Sequence, residues 1–434
     1  MFGMKILIET YGCTLNQADS EIIKARLREA GHGVSSGLYK GGECDYLILN
    51  TCTVKMPTEQ RILDRIGKAR DMGKKLIVTG CMAGANRDLI AKAAPDAVIV
   101  SSGNMVYLPS IIERIEAGET EELWMHRRTD KAALFGADGN VIAKLPISEG
   151  CLSSCSFCET KFARGPLNSF PEDSIIKAAS MGIKAGTKEI QLASQDTGAY
   201  GIDRKTDIAE LASRISQLEG DFKVRIGMLN PEHLHRYFDR LVDAYKSEKL
   251  YKFIHLPVQS GSDMVLRQMR RNYSVEEFRG YVRELRKKVN GISIETDIIV
   301  GYPTETDEDF AETLKLLEDT RPNITNVSRF GRRPHASAGG LKQLKSQIVK
   351  ERSIAASRMA RKMQHADMRR HIGERWHVLI TEMNERSLSG RDGRYRLVAF
   401  VSDKTVGDTA DVEITGNTYA CYIGREMKGS ELTS

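Results

Sequence analysis

Glu149-Gly150-Cys151-Leu152-Ser153-Ser154-Cys155-Ser156-Phe157-Cys158 crowds three cysteines into one loop, directly after the apolar run Leu145-Pro146-Ile147-Ser148. Three thiolates this close need a cation to compensate them, so the stretch reads as a metal site. The count narrows the metal. A closed structural zinc or a closed iron–sulfur cube takes four protein ligands. Three cysteines with no fourth nearby leave one iron open to bind and activate a small molecule. A zinc knuckle with a distant fourth ligand is the alternative reading.

A second trio of thiols follows from topology. Strands are expected over Lys5 to Thr10, Asp45 to Asn50, Lys75 to Thr79 and Asp96 to Val100, alternating with helical segments as in a parallel α/β sheet. Cys13, Cys52 and Cys81 each come a few residues after one of the first three. In a parallel sheet the strand ends of one polarity share an edge, where loops build sites, so these three should converge. Inert core cysteines are the alternative, but core cysteines belong inside apolar runs and these sit just past them. Cys44, ahead of its strand, and the distant Cys421 are read as inert.

The CxxxCxxC loop, with Phe157 before its last cysteine, resembles that of the radical S-adenosylmethionine (SAM) superfamily. Thr10-Tyr11-Gly12-Cys13-Thr14-Leu15-Asn16, Asn50-Thr51-Cys52-Thr53-Val54 and Thr79-Gly80-Cys81-Met82-Ala83 resemble the N-terminal domain of the methylthiotransferases. That resemblance implies a 4Fe–4S cluster on Cys151, Cys155 and Cys158, and an auxiliary 4Fe–4S cluster, used in sulfur insertion, on Cys13, Cys52 and Cys81. The stretches Gln195-Asp196 to Tyr200-Gly201, Pro257-Val258-Gln259-Ser260-Gly261-Ser262 and Val300-Gly301-Tyr302-Pro303 to Thr306 are similar to the methylthiotransferase core. One departure is Arg333-Pro334-His335-Ala336, where the pattern usually reads Arg-Pro-Gly-Thr.

The elements that must position these loops form an α/β chain in five parts. Residues 1–117 read as the domain of the auxiliary cluster, and 118–144 as a linker with a turn at Gly136–Asn140. Residues 145–340 offer six strands: one before Gly150, then Glu189 to Ala193, Lys223 to Met228, Phe253 to Val258, Ile294 to Val300 and Ile324 to Ser328. Amphipathic helices are expected between them, among them Glu232 to Ser247 and Val275 to Val289. Six βα units are too few for a closed eight-stranded barrel, so an open partial barrel is expected, with its site at the C-terminal strand ends. Polar turns fall at that edge, and Gln195, Asn230, Gln259 and Gly301, with Phe157, are expected around SAM. Residues 341–371 read as one long basic helix. Residues 372–434 read as a small five-stranded β barrel, whose Gly390 to Tyr395 and Tyr422-Ile423-Gly424 resemble a TRAM RNA-binding domain.

The net charge of +6 is uneven. Nine Lys/Arg against Glu351 and Asp367 give residues 341–371 a charge of +7, so the rest of the chain is close to neutral. The small barrel is itself mildly acidic, with eight Lys/Arg against ten Asp/Glu from Ile372 onward. The helix must therefore attract a polyanion, with Lys342, Arg358, Arg361 and Lys362 as candidate phosphate contacts; a solvated face is the alternative. No run is long and apolar enough to span a bilayer, and Met1-Phe2-Gly3-Met4-Lys5 lacks the regions of a signal peptide. A cytoplasmic monomer is expected.

The phrase from Tyr11 to Asp19 and the run Cys158 to Gly165 are most similar to the archaeal and eukaryotic branch of the family. That branch acts on N6-threonylcarbamoyladenosine at tRNA position 37, in the anticodon loop. The resemblance implies that SAM chelates the open iron and, given one electron, yields a 5′-deoxyadenosyl radical that takes the scarcely acidic adenine C2 hydrogen. The second cluster supplies sulfur, a further SAM supplies the methyl group, and a one-electron reductant and a sulfur donor are needed. A buried carboxylate needs a cation, and Arg329, Arg332, Arg333 and His335 are candidates for reading the threonylcarbamoyl group, with phosphate binding as their alternative. Rival readings are an isopentenyladenosine enzyme, a methylthiotransferase of a ribosomal protein, and a non-catalytic iron–sulfur RNA-binding protein.

Overall fold

The computed structural model describes residues 3–53, 56–119, 128–136 and 138–428. The N-terminal sheet is parallel and five-stranded, in the order Gly33–Ser36, Lys5–Thr10, Tyr46–Thr51, Lys75–Gly80, Val98–Ile99. Its central strand, Tyr46–Thr51, is buried at every position because helices cover both faces. Successive side chains alternate between those faces. Ile6, Ile8, Tyr46 and Ile48 pack with Ile22, Ile23 and Leu27 of the helix Thr14–Glu29, while Leu47, Leu49 and Val78 pack with Ile62 and Ile66 of the helix Met56–Asp71. The edge strand Gly33–Ser36 was not expected. Only Val34 in it is apolar, and it exists by pairing with Lys5 to Ile8.

All six expected strands of the middle part are present, as Ile142–Pro146, Glu189–Ala193, Lys223–Ile226, Phe253–His255, Ser293–Val300 and Ile324–Arg329. They form two three-stranded parallel sheets. These meet where Leu229 N donates to His255 O at 2.9 Å, leaving the open arrangement that six units predict. The helix expected over Glu232 to Ser247 is instead two, Pro231–Leu234 and Phe238–Ala244. Tyr237 lies between them at φ −142°, outside helical values, with its ring buried in the core. Of the expected linker, residues 120–127 and Ala137 of its turn lie outside the described residues. The rest is embedded: Lys131 is only 1% exposed.

The basic segment is the helix Ser346–Arg369. Beyond it Arg375–Asn384, Ser387–Asp392, Leu397–Phe400, Thr409–Asn417 and Tyr422–Glu426 close into a barrel filled by Trp376, Val378, Ile380, Val398, Val412 and Ile414. The barrel docks beneath the middle sheets: Lys252 N donates to Gly393 O at 2.9 Å, and Gln191 Nε2 donates to Tyr395 Oη at 3.0 Å. Among the described residues no helix is long and apolar enough to cross a membrane.

Candidate active site

The parallel N-terminal sheet carries Cys13, Cys52 and Cys81 to one place, around the buried Asn16. The Cys13 thiol donates to Asn16 Oδ1 at 3.4 Å, and the Cys81 thiol approaches the same oxygen at 3.8 Å. Asn16 is fixed in turn, its Nδ2 donating to Thr51 O at 2.7 Å. Two glycines allow the approach. A Cβ on Gly12 would stand 2.9 Å from Cys52 Cβ, and one on Gly80 (φ +91°) would collide with Thr51 O. Both positions need a residue without a side chain, which accounts for the Gly-Cys pairs at 12–13 and 80–81. Cys13 is exposed while Cys52 and Cys81 are buried, so the trio opens outward on one side.

The Cys151–Cys158 loop is pinned from several directions. Ser156 N donates to Met269 O at 3.1 Å, and Ser156 Oγ to Gln268 O at 2.8 Å. Phe157 packs with Val265, Met269 and Tyr302, so it anchors the loop. Asn230 is likewise occupied, its Nδ2 donating to Ser153 Oγ and Glu232 Oε2, both at 3.1 Å. Gln259 sits at φ +73° within a backbone bridge to Ile298, donating to Asp297 O and accepting from Ile299 N. Gly301 faces the basic helix, where a Cβ would press on Val349 at 2.7 Å. Gln195 is different. Its Oε1 is buried with no hydrogen-bond partner among the described residues, as is Tyr237 Oη, while Asp196 Oδ2 and His233 Nε2 face each other at 3.5 Å. Buried polar atoms left this way are rare and suit a polar ligand.

The two loops abut. The helix Cys81–Ala85 packs on the helix Thr160–Arg164 through Cys81, Ala85 and Ala163. The residues after Cys52 and Cys158 are joined, Thr53 Oγ1 donating to Glu159 Oε1 at 2.5 Å. Arg164, fully buried, donates from Nε to Cys81 Sγ at 3.2 Å and from Nη1 to Asp19 at 2.6 Å and Glu149 at 3.1 Å. Lys131 completes the set, reaching Asp19 at 3.1 Å and Glu149 at 2.8 Å. Two cations and two carboxylates thus cancel in the interior. Burial pushes the Glu149 carboxyl up, but Lys131 and Arg164 outweigh it and hold the group at about 2. A second buried arginine, Arg271, donates to Cys155 Sγ at 3.4 Å.

The expected substrate cations separate. Arg333 is buried and paired with Glu59 at 2.6 Å, with Glu159 at 3.7 Å. Its charge ties the N-terminal part to the middle one. Arg329, Arg332 and His335 are exposed. Arg329, Arg358, Arg361 and Lys362 line one groove of about 820 Å³, with Arg369, His365 and Tyr419. Lys342 precedes the helix and is not part of that lining. Arg352, counted in the basic stripe, turns inward to Glu305 and Asp307, both at 2.6 Å. Sequence reasoning missed Arg164, Lys131, Arg271 and Asn16, since nothing local marks a long-range partner. The charge of Arg164 six residues after Cys158 was the available signal.

Cys151, Cys155 and Cys158 offer the three-thiolate donor set of an iron–sulfur cube with one open iron. Among the described residues, the single group of three His, Cys or carboxylate ligand atoms within 4.8 Å of one another is His255, Glu295 and Asp297. Without a metal, burial pushes the Cys151 thiol to about 12, with Asp196, Cys155 and Cys158 adding to the rise. A bound cation reverses that penalty.

Residues 145–317 match the Radical SAM superfamily, and residues 5–101 match the Uncharacterized protein family UPF0004. A Pyrococcus abyssi protein named probable threonylcarbamoyladenosine tRNA methylthiotransferase is 42% identical over 384 residues, covering 87% of this chain and 88% of its own. An Archaeoglobus fulgidus protein of the same name is 38% identical over 97% of this chain and 98% of its own. The Homo sapiens threonylcarbamoyladenosine tRNA methylthiotransferase is 35% identical over 87% of this chain and 66% of its own. Among solved structures, the radical SAM methyltransferase TsrM of Kitasatospora setae superposes with a TM-score of 0.58 at 12% identity, over 78% of this chain and 77% of its own. That likeness is one of fold alone. By sequence over nearly its whole length, the chain belongs to the threonylcarbamoyladenosine tRNA methylthiotransferases, a radical SAM family.

Proposed function

We propose that this chain places a methylthio group on C2 of N6-threonylcarbamoyladenosine at position 37 of tRNA. The observation that carries the reading is the abutment of two outward-opening three-thiol loops through the helices Cys81–Ala85 and Thr160–Arg164. No side-chain base can remove a scarcely acidic C2 hydrogen, so a radical source and a sulfur source must meet at one substrate atom. A 4Fe–4S cluster on Cys151, Cys155 and Cys158 with SAM supplies the radical chemistry, and a second on Cys13, Cys52 and Cys81 supplies the sulfur. Around them the chain's own groups position and tune. Arg271 and Arg164 each hold a guanidinium against one sulfur of a trio, and Gln195 offers an unused buried acceptor at a strand end. A one-electron reductant and a sulfur donor come from outside the chain, and a tRNA substrate is in keeping with a cytoplasmic enzyme.

The test is direct. Reconstituted enzyme, SAM and reductant are incubated with tRNAs bearing threonylcarbamoyl-, isopentenyl- or unmodified adenosine, and the nucleosides are analysed by mass spectrometry. Methylthio product is expected from the threonylcarbamoyl tRNA. Product from the isopentenyl tRNA alone, or modification of a ribosomal protein, would sink the assignment. With Arg333 paired and Arg329 in the groove, Arg332 is the one of the three arginines left to meet the substrate carboxylate.

The groove beside the basic helix suits the tRNA backbone. Arg358, Arg361, Lys362 and Arg369 recur on one helix face, and Tyr419 of the small barrel, 69% exposed, closes the side. Each phosphate contact contributes about 0.7–0.9 to the slope of log affinity against log salt. Changing Arg358, Arg361 and Lys362 to Ala should therefore flatten that slope by about 2 to 3. An unchanged slope would return the helix to a solvated face.

A further inference from the structure

Phe162 and His335 lie ring on ring, with centroids 3.8 Å apart and planes within 7°. Phe162 is 51% exposed and His335 is exposed. One exposed phenylalanine needs no explanation. A coplanar exposed pair is another matter, because its rings come from separate elements: the helix Thr160–Arg164 and the loop after the strand Ile324–Arg329. Each ring covers one face of the other, so their exposure belongs to outer faces and edges, where a third flat ring can stack.

The location decides which ring. Phe162 stands between Cys158 and Arg164, and Arg164 holds Cys81, so the pair borders the junction of the two thiol trios. The nucleotide being modified must lie at that junction, and its neighbours along the strand must lie beside it. The anticodon loop is single-stranded, and proteins hold single-stranded bases by stacking them on aromatic rings beside a positive track. Arg332, exposed three residues before His335, supplies positive charge there. His335 also stands where the resembled pattern usually carries glycine, which has no ring to offer.

We propose that Phe162 and His335 form a platform that stacks a base adjoining the target adenosine and holds it out of the loop's own stack. This rests on the RNA-modifying reading above. The test uses the full reconstituted chain and an anticodon stem–loop RNA with 2-aminopurine on either side of the target position. Wild type should shift the emission of the probe at one of the two positions on binding. Phe162→Leu, which keeps apolar bulk without a π face, should lose that shift and weaken binding about tenfold, or ~1.4 kcal/mol. Phe162→Trp should retain both, and His335→Ala should lose part of each. Equal emission change and affinity in Phe162→Leu would overturn the platform. So would a tenfold loss of SAM affinity by equilibrium dialysis without RNA while RNA binding holds, since the ring stacked would then be the adenine of SAM. Methylthio product from wild type with no Phe162-dependent emission change would remove the platform and leave the function standing. The emission change without product on any tRNA would do the reverse.

Discussion

Replacing Cys151, Cys155 and Cys158 together by Ala is expected to abolish SAM cleavage and to remove half of the iron that the reconstituted chain binds. Two four-iron cubes amount to about eight irons in the wild type. The loop that holds these cysteines is fastened by Ser156 and Phe157 to the rest of the middle part, so three small substitutions at its open side leave the frame in place. The complementary replacement of Cys13, Cys52 and Cys81 should also halve the iron and abolish methylthio product, while sparing some SAM cleavage. That asymmetry follows from the division of roles: the Cys151 trio, held by Arg271, would carry the cluster that binds SAM, and the Cys13 trio gathers on Asn16 with Arg164 reaching across to Cys81. Iron analysis and 5′-deoxyadenosine release measure both. Zinc in place of iron, or one cluster's worth of iron in the wild type, would refute the two-site reading.

Arg164→Met should cost about 3–5 kcal/mol of stability, the usual loss when one partner leaves a buried ion pair. Arg164, Lys131, Asp19 and Glu149 are charge-balanced in the interior, and Met leaves an extra negative charge there together with a Cys81 thiol that has lost its guanidinium. Methionine keeps most of the bulk, so the loss read is chiefly that of the charge. The control is Asp19→Asn on the same background. Neutralising the orphaned carboxylate should recover part of the loss, so the double variant is more stable than the sum of the two single changes predicts. Urea denaturation of the full chain reads both. A loss under about 1 kcal/mol for Arg164→Met, or strict additivity of the two changes, would show that the network does not act as a unit.

The chain's local patterns were sufficient for much of this protein. The CxxxCxxC loop is legible because its three thiols share a few residues of backbone and need no fold to meet. The convergence of Cys13, Cys52 and Cys81 is legible one step further on, since short apolar runs separated by helical segments imply a parallel sheet, and such a sheet aligns its strand ends. The six middle strands and the closed small barrel were readable for the same reason: burial leaves a periodic signature. The edge strand Gly33–Ser36 leaves none, because its solvent-facing residues carry no pattern. Only the tertiary structure decided how charges were allotted. Counting cations made Arg333 and Arg352 candidates for RNA, yet both are buried against carboxylates that lie far off in the chain. Arg164 and Lys131 are hidden from the sequence in the same way, since the partners Asp19, Glu149 and Cys81 come from different elements. A charge's partner is set by whichever group the fold brings within a few ångströms, and in an interior of low polarity that choice separates a structural clamp from a binding residue.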